Sequence, residues 1–270
     1  MAELVYPPVI AIARALFALQ GLRFDLRGTE NVPRSGGAVM AINHVGYLDF
    51  TFAGFAVVPA HRLVRFMAKE EVFRHRVGGP LMRGMHHIPV DREAGAGSYR
   101  AAVEALRAGE IVGVFPEATI SRSFELKDFK AGAARMAAEA GVPLLPTVIW
   151  GSQRVWTKGR PKRLGRTRTP ISVWVGEQLA VPSPHDAAAV TADLRERMEL
   201  LLHEAQDAYS DRPSGEADRW WLPARLGGAA PTPDEAHAMD REELKARLAA
   251  AKKVRDETRS ARPGHEPDTR

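Results

Sequence analysis

Between Arg23 and about Asp211, short apolar runs alternate with helix-like stretches, and no other feature constrains the fold as much. Seven runs read as strands: Phe24 to Arg27, Ala38 to Ile42, Leu63 to Met67, His87 to Val90, Ile111 to Phe115, Leu144 to Trp150 and Ile171 to Val175. Most are bounded by Gly, Pro or charged residues, as strands buried in a sheet are. Helical patterns fall between them over Phe50 to Val58, Ser98 to Ala108, Lys130 to Ala140 and His185 to Tyr209. This order predicts an α/β domain with a mixed, largely parallel sheet flanked by helices. In such sheets ligands bind beyond the C-terminal ends of the strands.

The composition changes after Tyr209. Asp211 to Gly215 is turn-rich, Trp220-Trp221-Leu222-Pro223 is an isolated aromatic knot, and Asp234 to Val254 has a helical pattern. The expected division is a main domain over 1–212 and a C-terminal appendage over 213–270, helical in part, with a disordered end. At the other terminus, the apolar run from Val9 to Leu19 is broken by Arg14. It is too short for a spanning helix, which takes about 20 residues, and it lacks the flanks of a signal peptide. A helix lying in a membrane interface and a core-packing first helix both fit it.

The chain has no cysteine, which excludes disulfides, thiolate metal sites and a Cys nucleophile together. A Gly-x-Ser-x-Gly elbow is also missing, and Gly95-Ala96-Gly97 lacks the third glycine of a dinucleotide loop. The net charge of +5 is mild, so its placement matters more than its size. Seven basic residues, Arg154, Lys158, Arg160, Lys162, Arg163, Arg166 and Arg168, lie in a stretch without acids between Gly151 and Pro170, together with Trp156. Such a loop suits an anionic lipid surface, and it suits equally an acidic carrier protein or a coenzyme phosphate. Aromatics are few and no nucleic-acid motif accompanies the charge, so nucleic acid is not expected as a partner.

Three segments at strand ends carry chemistry. After Ala38 to Ile42 comes Asn43-His44-Val45-Gly46-Tyr47-Leu48-Asp49. Histidine suits a general base near neutrality, and a carboxylate can fix its tautomer. Five residues apart on a helix is about 500°, so His44 and Asp49 meet only if the chain turns at Gly46. Asp49 reads equally as the start of the next helix. The second segment, Gly84 to Arg92, is a short strand with a charged exit, where Arg92 could hold an anion. Its adjacent His86 and His87 point to opposite faces of a strand, so no metal is expected there. The third, Val114-Phe115-Pro116-Glu117-Ala118-Thr119-Ile120-Ser121-Arg122, closes a strand, and Lys130 follows near a helix start.

In this order, with Val142-Pro143-Leu144-Leu145-Pro146-Thr147 after them, the segments resemble the glycerophospholipid acyltransferase family, over about Leu22 to Val181. The resemblance implies a glycerol-3-phosphate acyltransferase-like fold and the transfer of an acyl group from acyl-CoA or acyl carrier protein to a glycerolipid hydroxyl, lysophosphatidate foremost. No cofactor is implied. By similarity His44 is the base and Asp49 its partner, Arg92 an acceptor-phosphate ligand and Glu117 the motif Glu of acceptor binding; Thr119 and Ser121 offer hydroxyls for substrate in the same loop, and Arg122 or Lys130 can replace a missing phosphate cation of the motif. The family's Gly-Thr-Arg-Ser is here Ala118-Thr119-Ile120-Ser121, so a phosphate-binding Arg is replaced by Ile120, and another lysophospholipid or hydroxylated lipid stays open as acceptor. The expected location is peripheral or monotopic, on the cytoplasmic face of a membrane with anionic lipid. A lipid- or carrier-binding protein of the same fold without turnover is the rival, and the intact His44 and Asp49 argue against it.

Overall fold

The computed structural model describes residues 3–91 and 95–260. All seven expected strands form: β1 (Arg23–Arg27), β2 (Ala38–Ile42), β3 (Val64–Lys69), β4 (Ile88–Val90), β5 (Ile111–Val114), β6 (Leu144–Trp150) and β7 (Pro170–Val175). They make one sheet in the order β1-β7-β6-β2-β5-β3-β4. Every neighbouring pair is parallel except β6 with β7.

The pleat divides the core in two. From β2, Val39 and Ala41 face one apolar cluster, and Met40 and Ile42 face the other. On the first side lie α5 (Gly95–Arg107), α6 (Gly132–Ala140) and α7 (Ala187–Asp207). On the second lie α1 (Tyr6–Gln20) and α2 (Asp49–Ala56). A largely parallel sheet covered on both faces explains why β2, β5 and β6 read as mostly apolar runs and why every residue in them, Thr147 included, is buried. Full burial of each large side chain contributes about 1.5–3 kcal/mol.

Between β3 and β4 run two short helices that the sequence pattern does not predict, α3 (Glu70–Arg74) and α4 (Gly78–Gly84). They bury Phe73 and Met82 against Tyr6 of α1. The expected helix over 130–140 begins at Gly132, and that over 185–209 runs from Ala187 to Asp207. The aromatic knot is not isolated. Trp221 is fully buried in the same cluster as Trp150 and Tyr209, and its carbonyl accepts a hydrogen bond from Gln153 Nε2 at 3.2 Å. Beyond it, α8 (Pro233–Ser260) opens with a capping box, in which Thr232 Oγ1 accepts from the Glu235 N–H and Glu235 Oε2 accepts from the Thr232 N–H.

Helix α1 is apolar on two sides. Tyr6 and Phe17 pack inward, while Ile12, Leu16 and Leu19 stand exposed at helical spacing. Among the described residues no helix is long and apolar enough to cross a membrane.

Candidate active site

Strands β2, β5 and β6 run in the same direction, so the loops that follow them share one edge of the sheet. His44 lies two residues past β2. Its Nδ1 is 2.9 Å from Asp49 Oδ2. That oxygen also accepts the main-chain N–H groups of Val45 and Gly46, each at 2.8 Å. Asp49 is the first residue of α2, fully buried, and makes no capping bond to its own helix. Its carboxylate instead ties the loop into a ring around the imidazole.

Because an ionised carboxylate only accepts, the bond to Asp49 sets the proton on Nδ1 and leaves the Nε2 lone pair free to accept a proton. The His44 side chain is 20% exposed. Its ring stacks on Phe115 with centroids 4.2 Å apart, which fixes the ring plane. Gly46 is required for closeness rather than handedness. Its φ is not left-handed, and a Cβ there would collide with Ser152 Oγ.

The loop after β5 holds the His44 main chain from both sides. Glu117 Oε1 accepts the His44 N–H at 2.8 Å, and the Ser121 N–H donates to the His44 carbonyl at 2.7 Å. Glu117 Oε2 accepts the Lys127 N–H at 3.2 Å. Burial pushes the Glu117 carboxyl up to about 8 despite those two N–H donors. Expected as substrate ligands, Glu117 and Ser121 are both turned inward. The Ser121 hydroxyl donates to the Glu125 carbonyl at 2.7 Å and is buried. The left-handed turn at Ala118, φ 63°, aims Glu117 this way, at a position where the family pattern has glycine.

The remaining expected ligands separate. Thr119 is exposed, and its Oγ1 accepts from Lys127 Nζ at 2.7 Å. Ile120 is buried, so the position of the family's Arg points into the protein. Arg122 is paired with Asp240 and Glu243 of α8. Lys130 has an exposed side chain, and its N–H donates to the Pro116 carbonyl at 3.1 Å. Arg92 lies outside the described residues. His86 and His87 both precede β4, with His86 in a left-handed turn at φ 56°, so the expected strand alternation does not orient them. His86 is exposed, whereas His87 is buried, its Nδ1 accepting the Phe66 N–H at 3.1 Å, and burial pushes it down to about 4.

Sequence reasoning missed four residues that build the site. Asn43 clamps β2 to β6 through both amide atoms, donating to the Ile149 carbonyl and accepting its N–H. Thr157 donates its hydroxyl to the Val45 carbonyl at 2.6 Å. Phe115 carries the imidazole, and Lys127 joins the Glu117 and Thr119 bonds. The signal for Asn43 was its place next to His44 at the end of a wholly apolar strand.

An apolar cleft opens between α1 and α2. It is lined by Val9, Ile10 and Ala13 of α1, Phe50 and Phe55 of α2, and Phe66 of β3. Phe50 directly follows Asp49. At the other end of α1, the basic loop docks through Gln20, whose Nε2 donates to the Leu164 carbonyl and whose carbonyl accepts the Arg168 N–H. Arg160, Lys162, Arg163 and Arg166 are exposed there. The exposed apolar side of α1 and the cationic loop therefore adjoin.

The sequence matches the family model described as Acyltransferase over residues 23–150. A 1-acyl-sn-glycerol-3-phosphate acyltransferase of Bacillus subtilis is 31% identical over 201 residues, covering 70% of this chain and 94% of that protein. One of the same description from Borreliella burgdorferi is 28% identical, covering 52% of this chain and 56% of that one. The crystal structure of the 1-acyl-sn-glycerophosphate acyltransferase PlsC from Thermotoga maritima shares the fold, with a TM-score of 0.59 and 23% identity, covering 74% of this chain and 78% of that chain.

Proposed function

Because this chain belongs to the acyltransferase family, we propose that it moves a fatty acyl group from acyl-CoA or acyl carrier protein to the free hydroxyl of lysophosphatidate, with His44 as general base. The observation that supports this most is the 2.9 Å His44–Asp49 contact at the sheet edge. His44 Nε2 takes the hydroxyl proton as the oxygen attacks the thioester carbonyl carbon. Asp49 stabilises the imidazolium that forms. Collapse of the tetrahedral adduct breaks the C–S bond, and the leaving thiolate takes the proton from the imidazolium. The thioester is already activated, so no covalent enzyme intermediate is required. The cleft between α1 and α2 suits an alkyl chain, since its named walls are apolar.

A second acceptor class is favoured by one observation: Ile120 is buried where the family pattern has a phosphate-binding Arg. The test is an assay of the purified chain with acyl-CoA across lysophosphatidate, glycerol 3-phosphate and several lysophospholipids. Highest kcat/KM on lysophosphatidate is expected. A preference for a diester headgroup would transfer the same chemistry to another lysophospholipid.

The exposed Ile12, Leu16 and Leu19 next to the cationic loop support peripheral or monotopic attachment to anionic lipid. The cytoplasmic leaflet carries such lipid. Each basic residue near such a surface contributes about 1 kcal/mol. Changing Arg160, Lys162, Arg163 and Arg166 together to Gln is expected to weaken binding to anionic vesicles at least about tenfold. Binding to neutral vesicles should hardly change, because α1 carries that part. Co-sedimentation measures both, and unchanged anionic binding would make the loop an ordinary solvated surface.

A further inference from the structure

Three cations from two loops converge beside the His44 loop and meet two carboxylates of α8. Arg122 Nη2 lies 2.7 Å from Glu243 Oε2, and its Nε lies 3.3 Å from Asp240 Oδ1. Lys158 Nζ lies 2.7 Å from Glu243 Oε2 and 3.3 Å from Asp240 Oδ1. Lys127 Nζ reaches Asp240 Oδ2. The cluster is tied to the dyad at two points. The Lys127 N–H goes to Glu117, whose other oxygen holds the His44 N–H. Lys158 follows Thr157, which bonds the Val45 carbonyl.

Among the described residues, buried apolar contacts of α8 are few. Among its described side chains Ala236 is the one that is buried, and Leu244 and Leu248 are exposed. The helix caps its own start through Thr232 and Glu235, so its formation does not need the docked position. Few buried apolar contacts and partly exposed ion pairs mark a segment that opens locally at low cost. Both carboxylates are ionised. For Asp240 burial raises the pKa, but the hydrogen bond and charge of Lys127, with Lys158, outweigh it, and Glu243 is held low by hydrogen bonds from Lys158 and Arg122. Together they carry two negative charges on three cations. A phosphate monoester carries about −1.5 to −2 at neutral pH and offers three acceptor oxygens, so it would replace the pair nearly charge for charge.

We propose that Arg122, Lys127 and Lys158 bind the phosphomonoester of a substrate, and that α8 is a displaceable plug whose Asp240 and Glu243 hold that place until the substrate arrives. The proposal rests on the reading of His44 as the acyl-transfer centre. It supplies the cation that Ile120 removes, from positions outside the family motif. The phosphate is that of the acceptor headgroup or of the coenzyme donor, and the kinetics separate the two.

The experiment compares the full-length wild type with the double variant Asp240→Asn, Glu243→Gln, varying lysophosphatidate and palmitoyl-CoA in turn. A plug seated in about nine molecules of ten raises an apparent KM about tenfold. The double variant should therefore lower one KM about tenfold at similar kcat. A fall for lysophosphatidate assigns the cluster to the headgroup, and a fall for palmitoyl-CoA assigns it to the donor. Adding Lys158→Gln should abolish the gain. Amide hydrogen exchange of α8 in the wild type gives a readout without turnover: glycerol 3-phosphate or CoA should speed exchange around Asp240 about fivefold or more. If both Michaelis constants are unchanged, or if the variant does not fold and wild-type exchange does not respond, the plug is overturned. Failure of the acyl-transfer reading looks different, because the wild type would then turn over no lysophospholipid while exchange still answers.

Discussion

His44→Ala is expected to lower turnover by about 10²-fold or more, within the 10²–10⁴ range for loss of a positioned general base. The imidazole is the titratable group that the loop, the Phe115 ring and the Asp49 carboxylate all converge on. Truncation leaves Asp49 Oδ2 with the Val45 and Gly46 N–H donors, so no buried charge is stranded. The stability cost should stay near that of one hydrogen bond to a charged group, about 1.5–3 kcal/mol at most. Thiol release followed against acyl-CoA gives kcat, and thermal unfolding by circular dichroism gives the stability. Near-normal turnover in a folded variant would remove His44 from the mechanism.

The Asp49 pair of substitutions separates chemistry from architecture. In Asp49→Asn the amide oxygen can keep accepting from Val45 and Gly46, so the loop should survive while the negative charge beside the imidazolium is lost. Turnover should fall by about 10²-fold, with KM for both substrates nearly unchanged. Asp49→Ala strands two main-chain N–H groups in a buried turn, each costing about 1–3 kcal/mol. For a domain of this size a loss of about 2–6 kcal/mol lowers Tm by roughly 4–24 °C. Steady-state rates and melting curves on both variants check the split. If Asn lowers Tm as much as Ala while sparing kcat, Asp49 is architectural only.

The parts of the site that were legible in the sequence are those whose geometry is local. All seven strands stood out because most of the apolar runs are bounded by Gly, Pro or a charge. The His44–Asp49 meeting followed because five residues can close only around a turn, which the structure makes at Gly46. Side-chain direction in the loop after β5 was not legible. Spacing alone does not tell that Glu117 and Ser121 turn inward, since a left-handed residue at Ala118 redirects the chain. Helix α3 was hidden because five residues are too few to show a period, and α4 because its Gly-rich sequence has weak propensity; burial of Phe73 and Met82 decides their state.

Long-range charge pairing was equally invisible. The stretch from Gly151 to Pro170 contains no acid, yet Arg154 Nη1 lies 2.7 Å from Asp211 and Lys158 is held by α8. Those partners lie 57 residues and more away. The run therefore divides into residues used inside the protein and a remainder, Arg160, Lys162, Arg163, Arg166 and Arg168, that faces outward. The same distance explains Trp221, which completes a cluster with Trp150 and Tyr209 from beyond the expected boundary at 212.

The most direct measurement is product formation from lysophosphatidate and acyl-CoA by the purified chain, followed by mass spectrometry beside free thiol, in the wild type and in His44→Ala. The account predicts one phosphatidate formed per thiol released by the wild type, and a rate at least about 100-fold lower for the folded variant. Thiol release without acylated lipid, or equal product from both proteins, would contradict it.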